Sequence, residues 1–260
     1  MKKEMVGIGL VLMLFFLAPA AHANDNENAP SYKWTGVYIG GNIGGAFGHA
    51  APKTRVAPTG IGNVYFTGND FELIEDAGKN PFNPNSLMSG AQIGYNHQYK
   101  RLIFGLETGF DYFNLDRAHS LTREYQTAPG SFYTLQNHVT TNWLYTLQTR
   151  LGLSIGKALI YGTTGMALTR IKYHHAFVDD FTPARETAST SRVRLGWVIG
   201  AGIEYGLTKN WTIKGEYLYI NFRKVSIGES ALTTPVSRDQ FSHSLDLDTN
   251  VIRIGINYKF

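Results

Sequence analysis

From Trp34 to the C-terminus, apolar side chains recur at every second position, with small, polar or charged residues between them. A period of two puts alternate side chains on opposite faces of a sheet, so each such stretch predicts a β-strand with one apolar face. Eight are predicted, over 34–48, 87–99, 102–115, 142–155, 158–173, 192–207, 211–226 and 245–260. In the last, Ile252, Ile254, Ile256, Tyr258 and Phe260 share one face, and Arg253, Gly255, Asn257 and Lys259 the other. The third sets Phe104, Leu106, Phe110 and Tyr112 against Gly105, Glu107, Gly109 and Asp111. The fifth is apolar on both phases, and its pattern leaves the phase open. Trp34 falls in the polar phase of its strand.

The connections set the topology. Lys100-Arg101, Gly156-Lys157 and Thr208-Lys209-Asn210 are tight, while 49–86, 116–141, 174–191 and 227–244 are long. Short and long alternate throughout, the signature of an even-stranded outer-membrane barrel with both termini in the periplasm. Each strand exceeds the ~9–11 residues a tilted strand needs to cross a bilayer. A soluble lipocalin-like barrel is the competing reading. It calls for an apolar interior, and eight strands enclose a lumen too narrow for the bulky set. Glycines interleaved with charges suit that lumen, so the bulky set is expected to face lipid. The expected fold class is all-β: an eight-stranded antiparallel transmembrane β-barrel with short periplasmic turns and long external loops.

The first residues add a destination. Met1-Lys2-Lys3 is followed by an uncharged apolar run over 6–18 and by Ala21-His22-Ala23. That is the layout of a secretory signal peptide, expected over 1–23, with a polar lead over 24–33 and the barrel over 34–260. The run is shorter than a spanning helix requires. Absence of cysteine removes disulfides, thiolate metal sites and cysteine nucleophiles together. A net charge of +4 without a Lys/Arg block gives no support to a nucleic-acid partner. Trp211, Tyr99, Tyr258 and Phe260 lie near the tight turns and Trp143 and Trp197 toward the other end, as two interfacial girdles would.

Seven of the charged residues on the inward phase are candidates for an interior network: Glu107, Asp111, Arg150, Glu204, Lys214, Glu216 and Arg253. Counted from the tight turns, Glu107, Arg150, Glu204, Lys214, Glu216 and Arg253 occupy a layer on the order of 8 Å thick. Glu107 with Arg150, Glu204 with Lys214, and Glu216 with Arg253 are the expected pairs. A selectivity filter or proton path is one reading. A salt-bridge network that plugs the lumen is favoured, because unpaired buried charge costs several kcal/mol.

Three segments carry a resemblance. They are Trp34-Thr35-Gly36-Val37-Tyr38-Ile39-Gly40-Gly41-Asn42, Ala201-Gly202-Ile203-Glu204-Tyr205-Gly206 with Asn210-Trp211 and Lys214-Gly215-Glu216-Tyr217-Leu218-Tyr219, and Val251 through Phe260. They resemble opacity-type outer-membrane proteins of alphaproteobacteria and related genera, over essentially the whole mature chain except its loops. The resemblance implies a cell outer-membrane location and contact with outer-membrane lipid. It also implies recognition of the terminal Phe260 by the outer-membrane assembly machinery. Its members include surface antigens, envelope-stabilising proteins, adhesins, small porins and hemin-binding proteins, and fold does not choose among them.

No catalytic constellation stands out, and the glycine-rich 196–206 and 40–45 lie in strands rather than opening helices. No enzyme activity, cofactor or metal is expected. The leading expectation is a non-enzymatic surface barrel acting in envelope integrity or contact with a host surface molecule through its loops. The alternative is a small porin or a hemin-uptake protein. Most histidines fall in or beside the expected loops, and His174-His175 is the candidate hemin contact, weighed against ordinary polar loop content. The first loop is unusually apolar at Val64-Tyr65-Phe66, Phe71 and Leu73-Ile74. It reads either as a short element folded back at the rim or as a partner-binding surface.

Overall fold

The structure, a computed structural model, describes residues 32–57, 65–66, 69–181, 184–233 and 239–260. The expected signal peptide, most of the polar lead and Val64 lie outside the described residues. Eight antiparallel strands run in sequence order: β1 (Gly36–Ala57), β2 (Asn85–Tyr99), β3 (Leu102–Glu124), β4 (Phe132–Ile155), β5 (Ala158–Asp179), β6 (Arg185–Gly206), β7 (Trp211–Ala231) and β8 (Gln240–Lys259). One helix, α1 (Asp70–Ala77), precedes β2. Lys100 and Gly156, both at positive φ, turn the chain between β2 and β3 and between β4 and β5.

Each strand pairs with its sequence neighbours and β1 pairs with β8, so the sheet closes on itself. Its stagger can be followed residue by residue. Ile39 lies opposite Ile93, then Thr108, Leu147, Met166, Trp197, Asn221 and Asp248, and Asp248 lies opposite His49. The circuit thus returns to β1 ten residues beyond its start. A stagger of that order tilts the strands by roughly 40° from the barrel axis and leaves room inside for side chains only.

The fold expected from sequence needs correction in its upper half, the half remote from the tight turns. Much of the expected loops 116–141, 174–191 and 227–244, and both ends of 49–86, are strand. β4 has 24 residues, which at ~3.3 Å per residue and a ~40° tilt rise by about 60 Å, whereas a transmembrane barrel's apolar belt is ~25 Å tall. Closure is also confined to the lower half. β6 and β7 pair only from Gly206/Thr212 to Trp197/Asn221, with a single further bridge at Arg185/Thr233. β2 leaves β1 at Phe47/Asn85 and β3 at Met88/Phe113. Above those points the wall is two sheets, β3-β4-β5-β6 and β7-β8-β1. The β6/β7 seam opens at a bulge between Asn221 and Lys224, where Arg223 adopts φ 57° and its N–H donates to Asn221 Oδ1 at 2.9 Å. An extra residue in one strand bends it away from its partner, and here it turns β7 off β6.

The side-chain code inverts at the same height. In the lower half the exposed face is apolar, with Ile39, Ile43, Phe104, Leu106, Leu151, Ile199, Ile203, Ile252 and Ile254 among its residues. In the upper half the outward positions are polar, with Lys53 paired to Asp246 at 2.8 Å and His138 to Asp116 at 2.5 Å. There the interior is largely apolar, including Val139, Ile171, Leu245 and Leu247, with buried polar groups such as His175, Glu186, His243 and Asp179 among them. The upper half therefore obeys the soluble-barrel pattern and the lower half its reverse, which is why the upper strands read as polar loops. The first loop folds back at the rim: α1 buries Ile74, and Phe66 packs edge-on against Phe177 and Phe241.

Candidate functional site

The lumen of the lower half is built from inward positions on every strand. Even-numbered residues of β1 point inward, which puts Tyr38 and Asn42 inside, and Trp34 lies just before them in the same phase. β5 turns out to be odd-inward, with Leu159, Tyr161 and Thr163 buried and Ile160 and Met166 exposed. Large inward rings are accommodated by glycines on neighbouring strands. A Cβ on Gly94 would stand 2.3 Å from the Tyr38 hydroxyl, and one on Gly202 would stand 2.4 Å from that of Tyr161.

All seven charged residues singled out in the sequence are buried in this lumen. Glu107 is the hub. It receives Lys214 Nζ at 2.8 Å, Arg150 Nη1 at 3.3 Å, Arg253 Nη2 at 3.4 Å and the Tyr38 hydroxyl at 2.7 Å. Arg253 also donates to Glu216 through Nε at 2.6 Å and to Asp111 through Nη1 at 3.2 Å. Arg150 bridges onward to Glu204 at 2.8 Å, and its guanidinium stacks 3.8 Å from the centre of the Tyr161 ring.

One pairing differs from expectation. Lys214 lies directly across from Glu204 in register but bonds Glu107, while Arg150 takes Glu204. β7 and β3 stand on opposite sides of the barrel, so the long lysine stem carries its ammonium across the lumen instead of along the wall. These bonds therefore span the lumen. Side-chain amides fill the remainder: Asn42 donates to Gln92 at 2.8 Å, Gln92 to Asn257 at 2.8 Å, and Asn257 to Glu204 at 2.8 Å.

An apolar plug lies below the charges and an apolar layer above. Tyr32, Trp34, Ile103, Leu159 and Tyr161 pack together at the end bearing the tight turns, and Trp34 Nε1 donates to Ser154 Oγ at 3.0 Å. Above, Leu144, Val198, Leu218, Ile220 and Val251 belong to the largest buried apolar cluster. Tyr38 was recoverable from the phase of β1. Tyr161 was not, because both faces of β5 are apolar.

The two candidate hemin contacts separate. His174 is exposed on the outer face, while His175 is fully buried inside and stacks on His243 with ring centroids 3.8 Å apart. Consecutive strand residues point to opposite faces, so the pair does not form one surface.

A belt of apolar side chains around a closed sheet, enclosing a fully paired charge layer, defines a protein of the outer-membrane β-barrel class. Comparison with known proteins gives the family. Residues 8–260 match the outer membrane protein beta-barrel domain, and the chain belongs to that family. It is 30% identical to the 31 kDa outer-membrane immunogenic protein of Brucella melitensis, covering 88% of this chain and 85% of that protein. It is 26% identical to the 25 kDa outer-membrane immunogenic protein of Brucella abortus, over 90% of this chain and 83% of that one. Neisserial surface protein A aligns over 87% of this chain and 98% of its own, with a TM-score of 0.37 and 11% identity. The chain is thus an outer-membrane protein related to the Brucella surface antigens, a wider grouping than the opacity-type proteins its motifs resemble.

Proposed function

We propose that this chain is a non-catalytic, sealed surface barrel that holds a two-sheet extension outside the outer membrane, acting in envelope integrity or in contact with host surface molecules. The observation carrying this reading is the lumen: charge-assisted bonds from Lys214, Arg150 and Arg253 cross it, between apolar layers on either side. A porin would need that space open. The polar outer face of the extension leaves it to solvent and to partners, with the tight turns and both ends of the barrel on the periplasmic side. Phe260, 72% exposed and packed edge-on against Tyr258, is available as the terminal aromatic read during assembly.

The test is single-channel conductance of the refolded barrel in a planar bilayer, alongside binding of whole host cells to the barrel with and without the upper extension. Closed traces with extension-dependent binding support the proposal, and steady conductance by the wild type overturns it. Hemin uptake, the competing reading, has only His174 of its two candidate histidines on the surface. Equal hemin affinity in wild type and His174→Ala ends that idea.

A further inference from the structure

A second charged cluster lies in the extension, well above the lower charge layer. His175 on β5, Glu186 on β6 and His243 on β8 are all buried. His243 Nε2 is 3.3 Å from Glu186 Oε1, and His175 Nε2 is 3.8 Å from Glu186 Oε2. One potential ligand atom from each residue lies within 4.8 Å of the others. His175 Nε2, His243 Nε2 and Glu186 Oε2 have no hydrogen-bond partner.

The opposite edges of both rings are held. His175 Nδ1 lies 2.9 Å from Asn137 Oδ1, and His243 Nδ1 lies 3.1 Å from Thr54 Oγ1. Asn137 Oδ1 is an acceptor only, so His175 carries its proton on Nδ1 and turns the Nε2 lone pair inward. Outer hydrogen bonds of this kind fix the tautomer of metal-binding histidines.

The carboxylate needs a cation. In the lower layer every acid has an arginine or lysine, but no lysine or arginine pairs with Glu186 among the described residues. Among the described residues, the hydrogen bond its oxygens receive is from the Ser230 hydroxyl, at 2.5 Å. A buried carboxylate without a counter-charge costs several kcal/mol. A divalent ion between the three ligand atoms supplies that charge.

We propose that His175, Glu186 and His243 bind one divalent transition metal of the zinc class as a structural clip. Two imidazoles and a carboxylate are a borderline donor set suited to zinc and its neighbours. Bonds of about 2.0–2.2 Å in tetrahedral geometry place ligand atoms ~3.3 Å apart, so a contraction of up to about 1.5 Å from the 4.8 Å spread completes the set. The position gives the ion a role. His175 and Glu186 belong to the sheet β3-β4-β5-β6 and His243 to β7-β8-β1, on either side of the open β6/β7 seam. The ion ties the two sheets where the continuous β6/β7 ladder has ended and the Arg185/Thr233 bridge and the Ser230–Glu186 bond remain.

The test uses the full barrel refolded in detergent micelles. Zinc chloride at about tenfold excess is followed by gel filtration and metal analysis, and cobalt(II) is titrated in parallel and followed by visible absorption. The variants are His243→Gln, Asn137→Leu and His138→Gln, the last altering an exposed histidine outside the cluster. The expected results are one retained zinc per wild-type barrel and a cobalt spectrum with the intensity of a four-coordinate ion. His138→Gln should match wild type, Asn137→Leu should bind about 10–100-fold more weakly, and His243→Gln should lose stoichiometric binding. Wild type that retains no zinc, or a His243→Gln barrel that retains as much, overturns the proposal. If His243→Gln fails to fold, the wild-type cobalt spectrum decides: weak bands of a six-coordinate ion overturn the clip.

Discussion

Replacing Arg150 by alanine should destabilise the barrel far more than it opens it. Arg150 is buried, reaches Glu204 at 2.8 Å and Glu107 at 3.3 Å, and donates to the Tyr38 hydroxyl at 2.6 Å. Glu107 keeps Lys214 and Arg253 when the guanidinium is removed. Glu204 keeps only neutral donors, Thr212 and Asn257, and becomes a buried anion without a counter-ion. Breaking a buried pair by removing one partner costs about 3–5 kcal/mol. Loss of the stack on Tyr161 adds to that, by about 0.5–2 kcal/mol. The assay is reversible urea unfolding in lipid vesicles, followed through the lipid-facing Trp197 and Trp211. Arg150→Ala should lower the unfolding free energy by about 3.5–7 kcal/mol with conductance still near zero. Pairing Arg150→Met with Glu204→Gln removes both charges and should recover most of the loss, since a neutral replacement of a buried pair is often neutral or stabilising. An Arg150→Ala barrel of undiminished stability that conducts steadily would refute the reasoning and make the charge layer a gate.

Three further outcomes are expected. Trp34→Phe keeps most of the ring volume but leaves Ser154 Oγ without its donor, and should cost about 1 kcal/mol in the same unfolding assay, against about 3–5 for Trp34→Ala. At Gly165 a Cβ would sit 2.0 Å from the Leu147 carbonyl oxygen, so Gly165→Ala must push β5 from β4 and should cost about 1–3 kcal/mol or more in the same unfolding assay. In metal-free protein the depressed His175 imidazole makes the unfolded chain the better proton binder, so stability rises with pH. That contribution is complete above the ordinary histidine value of 6.5 and is lost as pH falls below it toward the folded value, with Glu186 and His243 facing the ring. Protection factors, corrected for the intrinsic pH dependence of amide exchange, should therefore fall in upper β6 and β7 at pH 5 relative to pH 7.5, and His175→Phe should abolish the difference. Equal protection at both pH values would contradict the sign.

Much of the lower barrel follows from local sequence. Alternation in β3, β4, β6, β7 and β8 put Glu107, Arg150, Glu204, Lys214, Glu216 and Arg253 on one face, because a period of two is a property of the strand itself. Tight turns at Lys100-Arg101 and Gly156-Lys157 fixed neighbour pairing for the same reason. The sequence by itself therefore determined how many strands share the sheet and, on the lower strands other than β5, which side chains face inward.

Only the tertiary structure decided what spans the lumen and what happens above the membrane. Alternation orders residues along a strand but says nothing about reach across the barrel, so it could not tell that Lys214 passes Glu204 to bond Glu107. β5 is apolar on both faces because Tyr161 and Leu159 fill a plug while Ile160 and Met166 face outward, and a pattern apolar on both phases carries no phase. Above the apolar belt the solvent on the outer face changes from lipid to water, so the same period of two returns with its faces exchanged. Strands written in that inverted code read as loops. Within them lie the two-sheet extension, its open seam at Asn221, and the meeting of His175, Glu186 and His243 from three strands, all set by register and by a bulge between chain segments far apart in sequence.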